Sequence, residues 1–115
     1  MTDWRVREVG NETRSRDLNE WIEDSAEGSA TTATTSYVCE CSNGDCLARI
    51  DLTHTEYEDV RAHPTRFAIA LDHESPDLDV VISEYRRFTV IRKIPGLPAR
   101  LAIASDPRQP GSAPA

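Results

Sequence analysis

All three cysteines of this 115-residue chain fall between Cys39 and Cys46, in the run Tyr37-Val38-Cys39-Glu40-Cys41-Ser42-Asn43-Gly44-Asp45-Cys46-Leu47. Local geometry is enough to gather them. Along a strand the side-chain period is two, so Cys39 and Cys41 share a face. Ser42-Asn43-Gly44-Asp45 reads as a reversal in which Asn-Gly supplies a left-handed backbone, and it returns Cys46 to the first two. The run is therefore expected to be a β-hairpin whose thiolates grip a metal ion.

A structural zinc site takes four ligands, thiolates and imidazoles, in a tetrahedron. Cys-x-Cys-x4-Cys offers three, with a spacing that departs from the common Cys-x2-Cys knuckle. The fourth must come from outside the hairpin, and the three histidines are the candidates. His73 ranks first, because it stands where an apolar strand ends in polar residues and can turn back to the cysteines. His54 ranks second, at the start of a helix soon after Cys46. His63 ranks third, at a helix end where an imidazole ordinarily closes the last turn. The expected set is Cys39, Cys41, Cys46 and His73 around a structural Zn2+. Three thiolates and one divalent ion leave a net negative charge, which nearby amides or arginines should offset. Four protein ligands also close the site to activated water. Two other uses of the thiols stay open: reduced cysteines packed as small hydrophobes, and redox exchange with Cys41 and Cys46 as the better pair to bridge. An iron–sulfur cluster would lack its fourth thiolate.

Apolar residues concentrate between Tyr37 and Pro98, so the folding unit is expected to be small, and a unit of that size commonly needs a staple such as a metal. No basic and apolar leader opens the chain and no apolar run is long enough to span a membrane. The expected location is the cytoplasm, where clustered cysteines serve metal or thiol chemistry rather than disulfides. The formal net charge is −7, with 14 acids against 5 bases in residues 1–59 and 2 against 6 in residues 84–115. Such a chain lacks the concentrated positive surface of a general nucleic-acid binder, although Arg86, Arg87, Arg92 and Lys93 could form a local patch.

In chain order, Leu18, Trp21 and Ile22 have helical spacing, and residues 1–24 are read as a semi-independent N-terminal helical arm interrupted between Val9 and Leu18. Its two tryptophans suggest anchoring, on the chain's own core or on another protein. Residues 25–36, rich in Ser, Thr and Ala, read as a flexible linker. After the cysteine hairpin, Thr53-His54-Thr55-Glu56 has capping-box spacing and opens a short helix with Tyr57 and Val60 inward, which His63-Pro64 ends. Arg66–Leu71 reads as a buried strand, and Val80–Glu84 with Phe88–Ile94 as a second hairpin. The zinc-binding α+β domain is assigned to 37–98 and a disordered tail to 99–115. No dinucleotide-binding, Walker, His-Glu-x-x-His or Gly-x-Ser-x-Gly motif is present.

The phrases Tyr37-Val-Cys-Glu-Cys with Cys46, Leu52-Thr-His-Thr-Glu-Tyr57, Arg61-Ala-His-Pro-Thr-Arg-Phe67 and His73-Glu74 resemble a family of short actinobacterial cysteine-rich proteins of unassigned function. The opening Arg7-Glu8-Val9-Gly10-Asn11-Glu12 resembles that family's first helix. The resemblance implies that the family's three cysteines are Cys39, Cys41 and Cys46 and that its histidine is His73. Leu71-Asp72 stands where the family has Pro-Gly. The function expected from all this is a non-catalytic zinc-binding regulatory or adaptor protein that contacts another protein through the Trp4–Trp21–Ile22 face or the Tyr85–Phe88 turn. A homodimer stays open. The rivals are a thiol-based redox sensor or small oxidoreductase and a nucleic-acid-binding regulator.

Overall fold

The computed structural model describes residues 3–26 and 33–108. A long helix α1 (Trp4–Ala26) is followed by strands β1 (Thr34–Val38) and β2 (Arg49–Thr53), helix α2 (His54–Arg61), strands β3 (Arg66–Ile69), β4 (Asp79–Glu84) and β5 (Thr89–Lys93), and helix α3 (Leu97–Ala104). β1 and β2 form one antiparallel hairpin, with Tyr37 opposite Ile50. The other three strands form a sheet in the order β3-β5-β4, with a register slip between Val81 and Ser83. The result is an α+β domain of two hairpins with an N-terminal helix and a short capped helix.

The core follows the alternation of the strands. Tyr37, Ile50, Leu52, Tyr57, Val60, Ala68, Phe88 and Val90 form one buried group, in which the Tyr37 and Tyr57 rings stack at 4.4 Å. Cys39 and Cys41 belong to a second group with Phe67, Ile69, Ile91 and Ala102. Each large side chain removed from water there contributes about 1.5–3 kcal/mol. α2 is held at its start by a complete capping box between Thr53 and Glu56, and buries Tyr57, Val60 and Arg61.

Three expectations are corrected. First, residues 1–24 are not a semi-independent arm and are not interrupted: α1 is continuous and docked on the sheets. Its buried face is Val9, Glu12, Thr13, Arg16, Asn19 and Glu23, which share one side at helical spacing and are mostly polar. Arg16 donates to Pro64 O at 2.8 Å and Ala102 O at 2.9 Å, with its guanidinium over the Phe67 ring. Asn19 pairs with both backbone groups of Val38, at 2.8 Å each, and so covers the open edge of β1 like a further strand. Trp4 and Trp21 are 44% and 68% exposed, so the tryptophans do not fasten the helix to its own core.

Second, only part of 25–36 stands apart from regular structure: Ser25 and Ala26 close α1 and Thr34–Ser36 belong to β1, while the centre of the expected linker, 27–32, lies outside the described residues. Third, residues 99–108 are not a disordered tail. Gly96, at φ +101°, opens α3, and Arg61 and Asp106 then form a buried ion pair. Arg108 reaches Glu20 and Glu58. The rest of that expected tail, 109–115, lies outside the described residues.

Lys93 is fully buried between Glu12 and Asp79. One ammonium cannot balance two carboxylates, and burial pushes Glu12 up to about 8 although Lys93 pulls it down. A raised carboxyl stabilises the fold fully below its unfolded pKa of 4.5, and that stabilisation is lost as pH rises through about 8. Glu12→Gln, which cannot ionise, is therefore expected to flatten the decline of stability across that window. Urea midpoints measured through the window at constant metal content check this, and parallel profiles for the two proteins would contradict it.

Candidate metal centre

β1 ends at Val38 and β2 begins at Arg49, so the cysteines lie in the connection between the strands rather than in a tight hairpin turn. Cys39 N still donates to Ala48 O at 3.1 Å, which extends the ladder by one step. Glu40 N then donates to Ala68 O at 2.9 Å and hands the chain to the edge of β3. Extended backbone here keeps the alternation of side chains, and Glu40 turns away from its neighbours. Its fully buried carboxylate accepts from Ala68 N at 2.9 Å, Asn19 Nδ2 at 2.8 Å and the Tyr57 hydroxyl at 2.9 Å. Glu40 was not singled out from the sequence. Its only signal was an acid between two expected buried ligands.

Cys46 returns through a turn in which its N–H donates to Asn43 O at 3.1 Å and Asp45 N donates to Asn43 Oδ1 at 2.9 Å. Gly44 does not supply the expected left-handed backbone. Its role is steric: a Cβ there would stand 3.2 Å from the Asn11 side chain, which donates to Ser42 O at 2.9 Å and ties the turn to α1.

His73 arrives from the loop after β3, where its N–H donates to Ala70 O at 3.2 Å. The residue before it, Asp72, has φ +65° and is the one non-glycine among the described residues in the left-handed region. Aspartate tolerates that region better than most residues, and glycine takes it without steric cost. Asp72→Gly is accordingly expected to leave metal binding intact and stability equal or higher, whereas Asp72→Val should lose about 1–3 kcal/mol. Thermal melts of the two variants test the assignment, and equal melting temperatures would refute it.

The ligand atoms of Cys39, Cys41, Cys46 and His73 all lie within 4.8 Å of one another. His73 Nδ1 is 3.5 Å from Cys39 Sγ and 3.6 Å from Cys46 Sγ. Ligands of a tetrahedral zinc, with Zn–S about 2.3 Å and Zn–N about 2.0 Å, would place sulfur and nitrogen about 3.5 Å apart. One imidazole nitrogen has a single proton or a single lone pair and cannot hydrogen-bond two thiols equally well, whereas a shared cation produces two equal separations. The donor set therefore fits a borderline-soft divalent ion. Comparison with protein-family models, with curated proteins and with solved structures returned no match.

The electrostatics agree with a site built for a cation. Cys41 is lowered to about 4, chiefly because the Cys39 thiol donates to it, and Cys39 is pushed far up by the same contact and by burial. Proximity thus favours one thiolate at the expense of its neighbour, and a divalent ion would favour all three. Ala70 N donates to Cys39 Sγ at 3.2 Å, supplying one of the expected amides. Cys39 and Cys41 are buried, Cys46 is half-buried and His73 is exposed, so the cluster has a closed side and an open one.

The other candidates lie elsewhere. His54 Nδ1 faces Glu23 at 2.7 Å, and His63 is exposed beyond the end of α2. The four basic residues 86, 87, 92 and 93 do not make one patch. Lys93 is inside, Arg87 is engaged by Glu56 and Asp51 O, and Arg86 and Arg92 are left on the surface. Among the described residues no helix is long and apolar enough to cross a membrane.

Proposed function

We propose that this protein is a non-catalytic, zinc-stabilised regulatory or adaptor module that works by contacting another protein, in a reducing compartment such as the cytoplasm. The observation that supports a structural zinc most directly is the near-equal approach of Cys39 and Cys46 sulfurs to one imidazole nitrogen, at 3.5 and 3.6 Å. The four side chains would complete a tetrahedron and leave no open position at the metal. A contact role is supported by apolar side chains left outside the core: Trp21 is 68% and Leu47 is 92% exposed, and Leu18 lies one helical turn from Trp21. Membership of the short actinobacterial cysteine-rich family is part of the same reading. It is supported by the left-handed Asp72, which occupies the position where that family has glycine.

Native mass measurement with elemental analysis tests the metal, and thiol titration separates it from the redox alternative. The expected outcome is one tightly held zinc per chain, slow thiol reaction before chelation and three reactive thiols after it. A metal-free, cooperatively folded chain with three rapidly reacting thiols would overturn the reading and leave thiol redox chemistry in its place.

A further inference from the structure

A second cluster of ligating side chains sits between α1 and α2. His54 and Glu58 are one turn apart on α2, and Glu23 faces them from α1, with ligand atoms of the three within 4.8 Å of one another. Glu23 is 3% exposed, and the Tyr37 hydroxyl donates to its Oε1 at 2.5 Å, which fixes the carboxylate so that Oε2 faces the imidazole. Glu23 Oε2 and His54 Nδ1 are 2.7 Å apart, and the Glu58 carboxyl meets the same Glu23 carboxyl closely enough to share a proton with it. Two carboxyl groups brought together beside an imidazole repel one another unless a proton or a cation lies between them, and three converging ligand atoms on two helices are what a bound cation requires.

Charge points the same way. The cleft is lined by Glu23, Asp24, His54, Glu58 and Arg108, so three carboxylates against one guanidinium leave two negative charges when the imidazole is neutral. Arg108 holds Glu58 through two bonds of 3.0 and 2.9 Å and stands where it would compete with an incoming ion.

We infer that Glu23, His54 and Glu58 form a second metal site, for a divalent first-row cation bound through carboxylate oxygen and imidazole nitrogen, with Arg108 as its internal competitor. This goes beyond the cysteine centre and does not depend on it. The two sites differ in softness: three thiolates select zinc, whereas two carboxylates and an imidazole accept Mn2+, which binds thiolate poorly.

The experiment is a Mn2+ titration of the full purified chain with zinc present, following the paramagnetic resonance of free Mn2+, with zinc content read in parallel so that the state of the thiolate centre is known in every sample. Wild type is expected to remove one Mn2+ per chain from solution. His54→Ala and Glu58→Gln, whose side chains are partly exposed and whose loss leaves the core intact, should bind at least about tenfold more weakly. Arg108→Ala should bind several-fold more tightly, which a merely structural ion pair would not produce. Wild-type binding no tighter than that of His54→Ala would overturn the proposal and leave Glu23 and His54 as a proton-sharing pair.

Discussion

Cys39→Ser is expected to release zinc from the chain and to lower its melting temperature by more than about 10 °C, a loss of at least about 3 kcal/mol for a domain of this size. Cys39 has the largest expected effect of the three cysteines because it serves both sides of the site. It is 4% exposed, its backbone extends the β1–β2 ladder, and its sulfur takes the Ala70 N–H at 3.2 Å. A serine oxygen is a poor zinc ligand at neutral pH and too short to reach the place of the sulfur. In a small domain the free energy of assembling the ligands is part of the free energy of folding, so lost zinc and lost stability should appear together. Cys46→Ser, at the half-buried rim, should lose zinc with a smaller fall in melting temperature. Zinc content after desalting and a thermal melt decide the matter. Full zinc retention in Cys39→Ser would remove this residue from the ligand set.

The same linkage makes the site sensitive to acid. At the proposed centre zinc would compete with protons for the three thiolates and the imidazole, so affinity is expected to fall as pH falls. The Glu12 contribution runs in the opposite direction, being lost as pH rises toward about 8. Wild-type stability should therefore be greatest between the two limits, and without zinc the acid-side loss should shrink to that of the lowered carboxyls, chiefly Glu58 held by Arg108.

The parts of the fold that were legible in the sequence are those in which one local rule decides. Thr53 and Glu56 state a helix start by themselves, and the alternation of Ile50 and Leu52 with Arg49 and Asp51 states which face of β2 is buried. His73 ranks above His54 because an apolar strand ends in polar residues there and can return to the cysteine side, and its Nδ1 does lie beside the Cys39 and Cys46 sulfurs. What escaped was burial of polar groups. α1 looked like a loose arm because its inward face carries Glu12, Arg16, Asn19 and Glu23, each of which finds its partner far away in sequence, at Lys93, Ala102, Val38 and Tyr37. No periodicity of apolar residues reports such a face, since the hydropathy of a side chain says nothing about a partner supplied by another element. Residues 99–108 were lost for the same reason, because Asp106 and Arg108 read as tail until Arg61, Glu20 and Glu58 come within reach. At Gly44 the residue was noticed and its reason was not: the close approach of Asn11 is a tertiary fact, whereas a turn is a local one.

Glu40→Ala should be among the most damaging single substitutions in the chain, at about 3–5 kcal/mol, a large share of the roughly 5–15 kcal/mol that holds a typical domain together. The carboxylate lies on the opposite side of the backbone from Cys39 and Cys41 and takes three buried donors: Ala68 N, Asn19 Nδ2 and the Tyr57 hydroxyl. Truncation leaves Ala68 N and the Tyr57 hydroxyl without an acceptor, and Asn19 Nδ2 with Val38 O alone, and each buried donor so stranded costs about 1–3 kcal/mol. Two controls separate this account from simple loss of volume. Glu40→Gln keeps the size and one acceptor oxygen but turns an NH2 toward donors, so it should cost nearly as much as alanine. Tyr57→Phe removes one donor and leaves two, so it should cost only about 1 kcal/mol. Because Glu40 also fixes the backbone between two proposed ligands, zinc affinity should fall by about tenfold to a hundredfold in the alanine variant even where the chain remains folded. Urea unfolding in excess zinc gives the first quantity and competition with a chromogenic chelator gives the second. A Glu40→Ala chain within about 1 kcal/mol of wild type, with its zinc affinity unchanged, would mean that the cysteines are positioned by the metal alone and that the buried carboxylate is dispensable.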